Sequence, residues 1–148
     1  MPHPQAFQKS GLGMNANAAA LLGYLVGIFS IVNLIVEKDN NFVRFHAVQK
    51  LFFILFWTIG YFALIFVLFI LTVVVMLIGG VAASAAGDAG GIIGVILWVI
   101  AMLTWVILPI LFVAVFLGGL ILCAVKAYNG EAFKLPIIGS LAAKIFPV

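Results

Sequence analysis

His46 and Gln49 stand three residues apart in the stretch Glu37–Lys50, flanked by Arg44 and Lys50, and here the chain gathers the groups able to do chemistry. This stretch holds five of the eleven Asp, Glu, Lys and Arg residues and one of the two histidines. On a helix His46 and Gln49 share a face, which suits hydrogen bonding to another segment, to a partner or to a lipid phosphate. Catalysis needs more than that. A histidine metal site requires further ligands, and His3 is expected across the membrane from His46. No Ser–His–acid grouping is present, and Cys123 falls in an apolar run that disfavours its thiolate. Neither a Walker loop nor a dinucleotide glycine loop occurs, and the dispersed cations do not make a nucleic-acid surface. No enzyme activity, metal, organic cofactor or nucleic-acid partner is expected.

The elements that position this polar stretch are membrane helices. The chain is 67% hydrophobic and 7% charged, against roughly a quarter charged in ordinary soluble domains. Runs without charge extend from Leu51 to Gly87 and from Ala89 to Val125, each well beyond the ~20 residues that cross the hydrocarbon. The single Cys123 excludes an internal disulfide.

The predicted fold is all-α and integral to the membrane, with three transmembrane helices and a short amphipathic helix at the C-terminal end. A segment 1–15 leads into a first span over 16–36, which lacks a basic leader or a cleavage site and reads as retained. Its small residues, among them Gly23, Gly27 and Ser30, recur at helical steps and are expected to admit a neighbouring helix. A polar loop follows at 37–41, where Asp39, Asn40 or Asn41 can cap the next helix. That helix covers 42–79, its amphipathic start lying at the membrane surface with Arg44 and Lys50 reaching toward phosphates. A Gly/Ala-rich hairpin is read at 80–90, with Asp88 as a surface cap rather than a proton carrier. The third span, 91–128, is long, is expected to kink at Pro109, and ends at Asn129-Gly130. Trp98 and Trp105 lie on one of its faces. In the tail, 129–148, Ile138, Leu141, Ile145 and Phe146 align as a short interfacial helix.

Charge orients this arrangement. With three spans, Lys38, Arg44, Lys50, Lys126, Lys134 and Lys144 share one side and Lys9 alone lies opposite. The positive-inside rule then places the N-terminus outside and the C-terminus inside, in a bacterial inner (cytoplasmic) membrane whose anionic headgroups meet the cations.

Three stretches carry a family resemblance: Gly11–Leu22, Glu37–Gln49 and Tyr128–Gly139. Within them Arg44-Phe45-His46-Ala47-x-Gln49 and Lys134-Leu-Pro136-Ile-Ile-Gly139 are the more specific markers. The chain resembles small bacterial multi-pass membrane proteins of unknown function related to the chloroplast inner-envelope import component of the Tic complex, its twenty-kilodalton subunit. That resemblance implies a part in protein import and four spans, where this chain reads as three. From the residues themselves, Arg44, Phe45, His46, Gln49, Lys134, Pro136 and Gly139 form a docking surface, with 44–49 facing 135–139. The expected function is a non-enzymatic accessory or scaffold subunit that docks to other membrane subunits. The alternative is a homo-oligomeric pore or translocation component.

Overall fold

The structure, a computed structural model, describes residues 2–148; the side chain of Asp88, read above as a cap, lies outside the described residues. A 3-10 turn at Pro4–Phe7 precedes five helices: α1 (Ala16–Leu25), α2 (Gly27–Val36), α3 (Asn41–Ala85), α4 (Asp88–Tyr128) and α5 (Ile138–Ile145). Among the described residues the only extended pairing is a single bridge between Lys9 and Asn15. The chain divides into two compact units, one of residues 1–57 with 116–148, the other of residues 58–115.

The expected first span is overturned. The backbone leaves the helix at Val26 (φ −118°, ψ 103°), which separates α1 from α2. Each has 10 residues, about 15 Å of helix against a hydrocarbon core of ~30 Å. They fold back on one another. Ser30 Oγ donates to the Gly23 carbonyl at 2.8 Å, and Asn33 Nδ2 donates to the Ala19 carbonyl at 2.8 Å. A Cβ on Gly23 would stand 3.2 Å from Ser30 Oγ, so the small-residue packing expected at Gly23 and Ser30 does occur, with the segment's own second half as the neighbour. Gly27 lies beyond the break with open space around it. Among the described residues two helices, α3 and α4, are long and apolar enough to cross a membrane, in place of the three spans and one short helix expected.

Helix α3 begins where a cap was expected, and the residue is Asn40. Its Oδ1 accepts from Val43 N at 3.3 Å, meeting a donor that the first helical turn leaves free. The start of α3 is not a surface turn. Phe42, Val43, Phe45 and Val48 are buried, and α1 contributes Ala16, Ala19, Ala20 and Tyr24 to the same core as Phe42 and Val43. The last turns of α4 complete that core through Cys123, Ala124 and Ala127. The end of α4 is the expected one. Gly130 takes φ +78°, and Glu131 N donates to the Lys126 carbonyl at 2.9 Å, a Schellman closure that a left-handed residue permits.

The N-terminal segment joins this first unit. His3 N donates to the Gly130 carbonyl at 2.7 Å, and Asn17 Nδ2 donates to the Tyr128 carbonyl at 2.8 Å. Residues 3 and 17 thus lie beside 128–130, which a membrane span over 16–36 would have kept apart.

In the second unit the hairpin turn shrinks to Ala86-Gly87, with Gly87 at φ +58°. Of the other glycines read as loop formers, Gly79, Gly80, Gly90 and Gly91 lie inside helices, and Gly79 and Gly90 permit close approach. A Cβ on Gly79 would run into the Leu97 side chain, and one on Gly90 into the Ala83 carbonyl. Trp105 Nε1 donates to Thr72 Oγ1 at 2.9 Å while Trp98 stays exposed, so the two tryptophans do not share one environment. Helix α4 continues through Pro109. Gly90→Ala is expected to destabilise the hairpin by about 1–3 kcal/mol through overpacking. Gly80→Ala, into open space, should gain about 0.5–1 kcal/mol by limiting the unfolded chain. Thermal unfolding of both variants in detergent micelles measures the difference.

Candidate functional site: a buried polar cluster around Gln49

Gln49 lies on the inner face of α3 with no exposed surface. Its Nε2 donates to Tyr24 Oη at 3.0 Å and to the Phe133 carbonyl at 3.1 Å, with Cys123 Sγ more distant at 3.9 Å. An amide has two N–H donors, so the two oxygens take them and the sulfur contact is secondary. A carbonyl in that position would face the Phe133 oxygen with no proton between, which sets the amide's orientation. One turn earlier, His46 Nδ1 lies 3.2 Å from Tyr24 Oη. Because Gln49 already donates to that hydroxyl, its proton is free to point at Nδ1, leaving the imidazole proton on Nε2. The Glu131 main chain lies beside the ring without a well-formed bond to Nε2. Phe42, Phe45 and Tyr24 meet the imidazole edge-on, with centroids 4.5, 5.0 and 5.7 Å away. Tyr24 and Phe42 belong to the core shared with α1, and Phe45 to the cluster that includes Ala142 of α5.

Lys50 is the side chain whose role was least visible. It is 3% exposed, and its Nζ donates to the carbonyls of Tyr24 (2.5 Å) and Gly23 (3.3 Å). Those oxygens lie in the last turn of α1, where the break at Val26 deprives carbonyls of intrahelical donors. A basic group at a helix C-terminus also meets the negative end of the helix dipole. Lys50 thus caps α1 instead of reaching a phosphate.

The loop before α3 is held in the same way. Glu37 Oε2 accepts from Gly11 N at 2.7 Å and Oε1 from Asn40 N at 3.3 Å. Asn40 Nδ2 donates to the Gln5 carbonyl at 2.9 Å. His3 belongs to this region rather than to an opposite face: its Nδ1 accepts from Gln5 N at 3.3 Å and its ring stacks on Phe42 at 5.7 Å. Partial burial lowers its pKa below the ordinary histidine value.

The tail supplies the remaining wall. Ile137 adopts φ 64°, ψ −63°, and Ile138 N donates to the Pro136 carbonyl at 2.7 Å. This is a γ-turn of the rare positive-φ form, strained for a β-branched residue. It brings Gly139 against α3, where a Cβ would stand 2.6 Å from Lys134 Cα and 2.9 Å from Gln49 Oε1. Arg44 donates through Nη1 to the Lys38 carbonyl at 3.1 Å and holds its guanidinium 4.1 Å above the Phe146 ring. Lys134 Nζ reaches the Val148 carbonyl at 3.0 Å.

Of the segments 44–49 and 135–139, expected to face one another, Gln49 and Gly139 come close, while Arg44 turns to Lys38 and Phe146, Lys134 to Val148, and the Pro136 carbonyl to Ile138 N. Phe45, His46 and Gln49 do not form an open docking surface, because they are buried within the chain itself. Tyr24, Lys50 and Asn33 were missed as members of the network. The signal available was an isolated polar residue in an apolar run, as in Ile31-Val32-Asn33-Leu34. Most polar groups of the cluster are met within the chain, whereas His46 Nε2, Gln49 Oε1 and Asn33 Oδ1 are buried without a hydrogen-bond partner. Among the described residues, the cluster's His46 and Cys123 are both buried and not open to a substrate.

Gln49→Leu leaves the Phe133 carbonyl without its donor, while the Tyr24 hydroxyl keeps His46 Nδ1, and is expected to cost about 1–3 kcal/mol. Lys50→Met, which uncaps α1, should cost about 2–4 kcal/mol. Lys126→Met, which removes the half-exposed 2.9 Å pair with Glu131, should cost less than about 1 kcal/mol. Chemical denaturation in mixed micelles ranks the three; a Lys50→Met loss no larger than that of Lys126→Met would contradict the capping role.

Comparison with known proteins places the whole arrangement in context. Residues 8–142 match the family described as the magnetosome magnetite crystal formation protein family. A UPF0132 membrane protein of Archaeoglobus fulgidus is 33% identical over 131 residues, covering 87% of this chain and 93% of the relative. Two UPF0132 membrane proteins of Methanocaldococcus jannaschii are also similar. One is 34% identical, covering 90% of this chain and 91% of its own length; the other is 29% identical, covering 91% and 73%. No solved structure matches the chain.

Proposed function

The chain belongs to the magnetosome magnetite crystal formation protein family, and we propose that within it this membrane protein is a non-enzymatic scaffold or accessory subunit. It docks to other membrane proteins through exposed helix surface while a rigid polar network holds its first unit together. The observation that carries this reading is the direction of the motif side chains. Gln49, His46, Lys50, Glu37 and Asn40 are all buried, and each meets a group of the same chain. Residues arranged in that way build a framework. The surface left for partners is apolar, as at Phe62 and Trp98, or cationic, as at Lys38, Lys134 and Lys144.

The family's description speaks of magnetite crystal formation, and that role is not carried over here. Among the described residues no group of three His, Cys, Asp or Glu is placed to hold a metal ion. Both Glu37 oxygens accept main-chain N–H groups, and Glu131 pairs with Lys126. A pore or import component, the role implied by the plastid resemblance, finds little polar lining in residues 58–115. Thr72 and Thr104 donate to their own helices, at the Leu68 and Ile100 carbonyls.

We also place both termini on the cytoplasmic side of an inner membrane. All seven lysine and arginine residues lie in residues 1–57 and 116–148, and none in 58–115. The positive-inside rule favours retention of the flanks that carry them, next to anionic headgroups. Impermeant thiol reagents applied to whole cells should then modify Ser84→Cys and spare Ser140→Cys until the membrane is permeabilised.

Photo-crosslinking amino acids at Phe62 and Trp98, in the full-length protein in its native membrane, test the scaffold. Adducts containing a second, defined membrane protein are expected. Adducts made of this chain alone, combined with dye leakage from proteoliposomes, would replace the scaffold with the pore.

A further inference from the structure

The α1–α2 hairpin has a surface that neither its own unit nor the scaffold role explains. Its inward faces carry the polar groups and its outward faces are apolar. Leu25, Val26 and Ile28, at the turn, are 62, 45 and 65% exposed, and Ile31 and Ile35 continue the exposed strip along α2. No Asp, Glu, Lys or Arg occurs from Ser10 to Val36, whereas Lys9 precedes this run and Glu37, Lys38 and Asp39 follow it. The segment's own charges thus bracket the base of the hairpin, and Lys50, whose amine reaches the end of α1, is buried there against the Gly23 and Tyr24 carbonyls.

We propose that the α1–α2 hairpin is re-entrant: it dips turn-first into one bilayer leaflet and returns to the side it came from, with acyl chains covering its outer face. Three features select hydrocarbon as the occupant. The first is length. Two helices of 10 residues reach about 15 Å, which is half of a ~30 Å core. The second is the treatment of the backbone at the turn. Irregular backbone at membrane depth requires partners supplied by protein, and here it has them. Val26 N donates to the Leu22 carbonyl at 2.8 Å and Phe29 N to the Val26 carbonyl at 2.9 Å. Lys50 takes the carbonyls of Gly23 and Tyr24, and Ser30 adds a second donor to Gly23. In water those oxygens would be solvated without help, and a buried lysine would be an expensive way to hold them. The third is the pattern of polar side chains. Asn17, Ser30 and Asn33 are all buried, and their donors reach backbone carbonyls. A hairpin facing water has no reason to turn every polar side chain of its inner face away from it.

The test uses full-length protein in phosphatidylethanolamine–phosphatidylglycerol vesicles, with Cys123→Ala as background. A nitroxide attached at Val26→Cys reads depth; impermeant thiol reagents at Gln8→Cys and Asp39→Cys, two exposed positions flanking the hairpin, read sidedness. The expected result has three parts. The Val26 label collides freely with molecular oxygen, is shielded at least tenfold from a water-soluble nickel chelate relative to a label at Asp39, and both flanking cysteines react from the same side. A Val26 label open to the nickel chelate places the hairpin in water and overturns the proposal. Shielding from both relaxants indicates a protein cover, a second copy or a partner, and overturns it as well. Reaction of Gln8→Cys and Asp39→Cys from opposite sides restores a full span and overturns it directly. A hairpin shown to be re-entrant leaves the scaffold reading to stand or fall on its own crosslinks.

Discussion

The last turn of a helix leaves carbonyl oxygens without donors, and in an apolar protein those oxygens must be met from elsewhere. In this chain the Lys50 amine meets two of them at the end of α1. That contact lets residues 16–36 break at Val26 and fold back, where an uninterrupted apolar segment would otherwise favour one long helix. Much follows from it. With the segment folded back, the N-terminal residues stay beside the tail, as the His3–Gly130 bond records. The number of long apolar helices becomes two, and every cation falls in the unit that holds both termini.

Gln49 does for the tail what Lys50 does for α1. Its amide joins α1 through Tyr24 and the tail through Phe133, so one side chain of α3 ties together segments far apart in sequence. The tail meets α3 closely because Gly139 has no Cβ, and Gly139 arrives there through the strained turn at Ile137. A β-branched residue held at positive φ costs on the order of 1–3 kcal/mol, a sign that surrounding contacts determine the turn. Most polar groups at these junctions are paired within the chain, with Gln49 Oε1 and His46 Nε2 as buried exceptions.

Several elements were legible in the sequence. Two uncharged runs marked α3 and α4, Asn40 was among the caps considered, and Asn129-Gly130 marked the end of α4. The approach of 44–49 to 135–139 was also expected, and Gln49 and Gly139 meet there. Other features misled for identifiable reasons. Gly79, Gly80 and Gly90 have the composition of a loop, yet an alanine-rich context sustains helix, and two of the three sit where partner atoms leave no room for a Cβ. Lys50 has the spacing of a residue at a membrane surface, and nothing local reveals that its amine turns inward.

The sequence by itself determined that this is an all-helical membrane protein, where its long helices lie and how several of them begin and end. Those properties depend on composition, helical periodicity and capping residues, all contained within a few turns of chain. Only the tertiary structure decided that residues 16–36 are a hairpin, that both termini belong to one unit and that the motif residues face inward. Each of these rests on a hydrogen bond between segments distant in sequence, from Lys50 to α1, from His3 to Gly130 and from Gln49 to Phe133. Whether a backbone break is tolerable depends on which donor reaches its free carbonyls, and the chain's order alone does not state which one does.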